Sequence, residues 1–452
     1  MPPEELTRSG RYDEAHRVAR AAVAAAPSAR NWAVMSNVLF ELGHIAQAHE
    51  AALKAVRYDP KLPAAIAALG SAGLQRGLVT EAWQALEELR SRNPQDPNVV
   101  ILLVQLYQEH DKYAEALDVL TPALTRDPAD PDLRLNRAVC QIELDRLDDA
   151  MADLEIVLAR FPLHVNALVW RSMLYTLTGQ PERAAADATY ARRLSELSVM
   201  VCVADAIAKM TGGDLDGARR AVQRAGRLAP GSAQMSHLAA TVEMVAGEHQ
   251  MALGHANSDV MAGPSTVRHL AAVRMSAHLA LGDHRQAMSA ANDVLAIKPT
   301  DLDALSTRSL LLFHDDRYDD ALRDADHVLK QRPDDAHVHA IRGFIHLMAG
   351  RWGAAAEDAE QAMNGDDRQA ALFVHGSASV ELGQSARAVQ DLAALRQSAA
   401  DGTYVELLQA RILGARKPSA RGTANRTEML SATRAVLDGV RIVVDVIKLF
   451  GS

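Results

Sequence analysis

Three residue types recur along this chain in phase, and that recurrence constrains the fold more than any other feature. Prolines stand at 27, 60, 94, 128, 162, 230, 264, 299 and 333, spaced by 33 to 35 residues apart from one doubled interval with Glu196 at its middle. An alanine lies twelve residues before most of these marks: Ala15, Ala48, Ala82, Ala116, Ala150, Ala184, Ala218, Ala252, Ala287 and Ala321. Five residues before each alanine is Gly or Asp, from Gly10, Gly43, Gly77, Asp111 and Asp145 onward. The phase continues through Gly350/Ala355 and Gly383/Ala388. A fixed period near 34 is the signature of a repeat architecture.

Each mark has a physical reason. Gly tolerates positive φ and Asp tolerates turns, so the first mark ends one helix. Ala stands where two helices approach too closely for a larger side chain. Pro cannot continue the second helix. Helical spacings such as Ala116, Leu117, Leu120 and Leu124 fill the intervals. One period is therefore two antiparallel helices, and because a single pair cannot bury its apolar faces, neighbours must stack.

Composition agrees. The chain has 452 residues, 48% hydrophobic but only 4% aromatic, and alternating Val/Ile strand patterns are scarce. Lys+Arg is 48 against Asp+Glu 57, a net charge of −9, which argues against a nucleic-acid binder. Two cysteines exclude a disulfide scaffold. MPPEELTRSGRYDEA has no apolar signal region, and no uncharged apolar run approaches 18 residues, so the expected location is cytoplasmic.

The pattern resembles the tetratricopeptide repeat, in segments such as GRYDEAHRVARAAVAAAP, DKYAEALDVLTPALTRDP and DRYDDALRDADHVLKQRP. Trp32 occupies the family's Trp position, Tyr107 and Tyr175 its Tyr position, and Gly70, Gly343 and Gly376 its close-contact small position. Most other aromatics are replaced by Ala, Leu or Met. The resemblance implies an all-α, right-handed solenoid of about eleven helix-turn-helix repeats. The expected organisation is an N-terminal half-repeat at 1–27, tandem repeats at 28–396, a terminal capping helix at 397–413, a flexible basic linker at 414–426 and an amphipathic helix at 427–452.

Family geometry also implies which positions of each first helix line the inner surface. In the early repeats these are Arg30, Asn37, Glu41, Gln75, Asn98, Gln105, Gln108, Glu109, Asp132, Asn136, Glu143 and Asn166. Amides both donate and accept, which suits an extended peptide backbone, although a solvated wall has the same composition. The family's carboxylate clamp is not expected: Asn37 fits it, but Ala33, Gly73 and Leu74 supply no cation. The later repeats select an apolar set, Met210, Leu238, Met244, Leu279, Phe313, Phe344 and Leu347. These residues fit two arrangements, a groove receiving a helix or ordinary core between repeats.

The tail carries Arg434, Asp438, Arg441, Asp445 and Lys448 in one stripe of alternating sign. Its apolar face comprises Val436, Leu437, Val440, Val443, Val444, Ile447 and Phe450, a surface expected to be buried in cis, in a second copy, in a partner or on a membrane.

Nothing points to catalysis. His269, Asp303 and His337 recur one period apart, but stacked repeats separate them by about 10 Å, too far for joint metal coordination. No phosphate-binding loop, zinc motif or dinucleotide fingerprint occurs. Cys140 and Cys202 fit as small apolar fillers. The expected function is a scaffold or adaptor that binds a protein or peptide, without cofactor, metal or nucleic acid. The alternative is an assembly factor held at a membrane surface by its tail.

Overall fold

A computed structural model describes residues 1–93, 96–257, 264–365, 367–398 and 402–415. The described elements are all α-helices. A short α1 (Pro3–Arg8) leads into α2 (Tyr12–Ala25), and eleven helix pairs follow. They are α3 (Ala29–Glu41) with α4 (Ile45–Tyr58), α5 (Pro63–Gln75) with α6 (Val79–Arg92), α7 (Pro97–Glu109) with α8 (Tyr113–Arg126), and α9 (Pro131–Glu143) with α10 (Leu147–Arg160). Next come α11 (Val165–Leu177) with α12 (Pro181–Leu194), α13 (Val199–Thr211) with α14 (Leu215–Leu228), and α15 (Ala233–Val245) with α16 (His249–Ala256). The series continues with α17 (Pro264–Ala280) and α18 (His284–Ile297), α19 (Leu302–His314) and α20 (Tyr318–Gln331), α21 (Ala336–Met348) and α22 (Trp352–Ala362), and α23 (Arg368–Glu381) and α24 (Ser385–Gln397). A single helix, α25 (Gly402–Ala415), packs against α23 and α24.

The periodic marks fall where the chemistry requires them. Gly10, Gly43, Gly77, Gly179, Gly213, Gly247, Gly282, Gly350 and Gly383 all have positive φ, and so do Asp111, Asp145 and Asp316, the only such non-glycines among the described residues. The alanine marks are fully buried between the two helices of each pair. Opposite them stands a small residue of the first helix. Ser36, Ser172 and Ser309 each donate their hydroxyl to the carbonyl of the facing alanine at 2.8 Å. At Gly70 a Cβ would lie 2.8 Å from both Ala85 and Leu102, so only glycine fits that crossing.

One structural contact escaped the sequence reading. Arg137 pairs with Asp153, Arg171 with Asp187, Arg308 with Asp324, Arg342 with Asp358 and His375 with Asp391, each across 16 residues. Each pair joins the first helix of a repeat to its second, with the carboxylate largely buried.

The chain divides into two compact units, meeting between Val273 and Arg274 within α17. In the first unit the early repeats touch repeats much further along. Val165 N donates to Gly10 O, Val199 N to Leu42 O at 2.8 Å, and His44 Nε2 to Leu197 O at 2.7 Å. Ser195 Oγ and Glu196 N both donate to Asp13, while Arg8 bridges Asp127 and Asp130. This unit therefore closes on itself after about four and a half repeats, along a seam made by the helix-joining turns. Gly10 permits the closure, since a Cβ there would lie 2.5 Å from the His164 backbone.

In the second unit most of the core from α19 to α25 is one continuous apolar cluster. Phe344 packs on Phe373 at 6.0 Å between ring centroids, and Phe373 on Tyr404 of α25 at 5.3 Å. Tyr404, Leu408 and Ile412 are buried, so α25 covers the apolar face that the last pair would otherwise expose.

Candidate functional site

Inside the first unit lies a cavity of about 360 Å³. Its wall comes from the first helices α3, α5, α7, α9 and α11, with Thr7 of α1 at one edge. All six amides selected from the early repeats line it: Asn37, Gln75, Asn98, Gln105, Asn136 and Asn166. Asn37 is exposed and the other five are half-buried. Several are held by neighbours. Ser71 Oγ donates to Gln105 Oε1 at 2.6 Å, Asn98 Nδ2 donates to Asp96 Oδ1 at 2.7 Å, and Asn136 Nδ2 donates to the Asp132 carbonyl at 2.8 Å. Fixed amides present their remaining donors and acceptors in set directions, as an extended backbone requires.

Among the described residues, two carboxylates, Glu41 and Asp132, are the only charged side chains on this wall. Asn166 Nδ2 donates to Glu41 Oε2 at 2.8 Å, a contact between α11 and α3 that exists only because the unit closes on itself. Both carboxylates are half-buried and line the cavity. Burial, reinforced by Asp132, holds Glu41 up at about 8. Burial, reinforced by Asp130 and relieved by Arg8, holds Asp132 up at about 7. Glu41 is also the last residue of its helix, where the macrodipole opposes a negative charge. Buried Tyr12 lies beside them, its phenol pushed well up by burial and then by Glu41 and Asp132.

Phe40, Ile101, Leu135, Val139 and Trp170 give the wall apolar stretches between its polar groups. The sequence reading placed Glu41, Gln108 and Asp132 on the inner surface but did not bring Glu41 and Asp132 together, and it missed Phe40 and Trp170. The meeting depends on the rotation from one repeat to the next, which no local pattern encodes.

The apolar set of the later repeats requires a correction. Met210 packs with Ala218 and Val242, Leu238 belongs to the main core of the first unit, and Met244 is buried. In the second unit Leu279 packs with Ala287 and Leu311, and Phe313, Phe344 and Leu347 lie in the continuous core. All seven are 0–8% exposed. Of the two arrangements their spacing allowed, they take the core one, because alanine-rich helices need one large side chain per turn to fill the space between repeats. They form no open groove. The apolar face of the tail, Val436 to Phe450, lies outside the described residues.

The histidine row separates into ordinary contacts. His237 and His269 meet edge to face at 5.6 Å, Arg332 bonds Asp303, and His337 bonds Asp367 at 2.7 Å. Among the described residues no cluster of three or more His, Cys, Asp or Glu is placed to hold a metal ion, and no helix is long and apolar enough to cross a membrane. Cys140 and Cys202 are buried, and burial pushes both thiols up, Cys140 to about 12.

Stacked helix pairs around a polar inner cavity define a helical-repeat protein. Models of the tetratricopeptide repeat match residues 34–97, 107–174 and 308–371. The chain belongs to the tetratricopeptide-repeat family. No curated protein matches it in sequence. Among solved structures it is similar to a chain of the APC/C hetero-tetramer Cut9-Hcn1, at 14% identity over 77% of this chain and 76% of that one, with a TM-score of 0.57. A tetratricopeptide repeat protein from Parabacteroides merdae ATCC 43184 is 20% identical over 55% of this chain and 97% of its own, with a TM-score of 0.41. The P58(IPK) TPR domain is 16% identical over 85% of this chain and 97% of its own, with a TM-score of 0.33. Proteins of this family are generally scaffolds that bind other proteins.

Proposed function

We propose that the chain is a non-enzymatic scaffold whose first unit takes an extended peptide in its inner cavity. One observation carries this reading: six amides from five successive first helices line one cavity instead of scattering over the surface. Amide side chains bond a peptide backbone whatever its sequence, and the intervening apolar stretches accommodate its side chains. The apolar tail at 427–452 is assigned a docking role in cis, in a second copy or in a partner. A cytoplasmic location follows the same reading, with attachment to a membrane surface as the alternative.

The test is selection of a random-sequence dodecapeptide library on the full chain. Enrichment on the wild type, lost in Asn98→Ala/Gln105→Ala/Asn136→Ala, supports the assignment. No enrichment, or enrichment unchanged in the triple variant, overturns it.

A further inference from the structure

We infer that Glu41 and Asp132 form a subsite for a basic side chain, a lysine ammonium or arginine guanidinium, of a peptide bound in the cavity. This deepens the proposed function and rests on it.

The first argument is a mismatch of donors and acceptors. Two carboxylates from α3 and α9 face one cavity, and among the described residues its lining contains no Lys or Arg and no ion pair to either carboxylate is formed. Arg8, whose charge reaches Asp132, is paired with Asp127 and Asp130. Glu41 receives one amide donor, from Asn166. The oxygen of that same amide, Asn166 Oδ1, is buried without a partner. Tyr12 is 1% exposed, and its hydroxyl interacts with Glu41 but completes no hydrogen bond of good geometry. The place is thus rich in acceptors and poor in donors. A group carrying several N–H donors and a positive charge answers both needs at once, whereas an anion or a carbonyl answers neither.

Aromatic side chains point the same way. Phe40, adjacent to Glu41, and Trp170, one helical turn from Asn166, line the same cavity. Aromatic rings beside carboxylates favour ammonium and guanidinium groups.

The test extends the library selection to three proteins: wild type, Glu41→Gln/Asp132→Asn, and Glu115→Gln/Asp118→Asn. The third removes two exposed charges from α8 and controls for the overall negative charge. Thermal melts confirm folding, and Glu41→Gln alone replaces the double variant if that one does not fold. Peptides selected on the wild type and the control should show Lys or Arg at one position at least fivefold above library frequency, falling to library frequency on the cavity variant. The strongest wild-type peptide, resynthesised with that residue as glutamine, should lose at least tenfold in affinity. Enriched peptides without a basic preference, a preference that survives in the cavity variant, or one lost equally in the control would overturn the subsite while leaving the peptide cavity standing. Absence of enriched peptides on all three proteins would remove the cavity reading beneath it.

Discussion

Gly43 and Gly179 hold nearly the same left-handed backbone, at φ 80 and 69, yet differ in what surrounds them. Nothing lies within 4 Å of a Cβ built at Gly179, whereas at Gly43 it would sit 2.8 Å from Val199 across the seam. Gly179→Ala should therefore cost only the backbone term, about 1–2 kcal/mol. Gly43→Ala should lower the melting temperature clearly further, because it also pushes the seam apart. Equal losses in thermal melts would mean that the seam contributes nothing to stability. The carboxylates give a second residue-scale prediction. Glu41 and Asp132 have folded pKa values above their unfolded ones, so the native state binds more protons, and stability falls as pH rises from about 4 through their folded values near 7 and 8. Of the facing groups, Tyr12 and Arg8 moderate this fall and Asp130 steepens it. Glu41→Gln/Asp132→Asn should melt higher than wild type at pH 8.5, with the difference shrinking toward pH 5. A pH-independent difference would place both carboxylates in ordinary solvent.

Helix pairs are the natural unit at the next scale. Arg171 and Asp187 join α11 to α12 with both side chains largely buried. Asp187→Ala strands a guanidinium there and should cost about 1.5–3 kcal/mol, the worth of a charged hydrogen-bonding partner. A cost below about 0.5 kcal/mol, as for an exposed ion pair, would show that solvent screens it. This spacing of 16 was present in the sequence but hidden, because Arg and Asp also populate the surface at random, whereas Gly, Ala and Pro report backbone constraints with few alternatives. Helix boundaries were legible for that reason. The apolar inner positions were not, since Met, Leu and Phe look alike whether they face solvent or the next repeat. For the tail, removal of residues 427–452 should increase binding of a hydrophobic dye or change the oligomeric state. Unchanged dye binding, oligomeric state and solubility would contradict docking, and flotation with vesicles of full-length but not truncated protein would favour membrane attachment.

At the scale of the molecule, repetition within the first unit produces something no single repeat contains. Closure after about four and a half repeats brings Glu41 against Asn166, 125 residues apart, and curves the wall into a cavity. The six amides were legible because each needs only its position on one helix. Their convergence on one cavity was not, because a small change in rotation per repeat accumulates over the turn. The central claim is that this cavity holds the peptide. A library-selected peptide carrying a photoreactive group at its basic position, cross-linked to the full chain and mapped by mass spectrometry, tests it most directly. The account predicts attachment on first helices α3 to α11, centred on Phe40, Glu41 and Trp170; attachment on the second helices or in the second unit would contradict it.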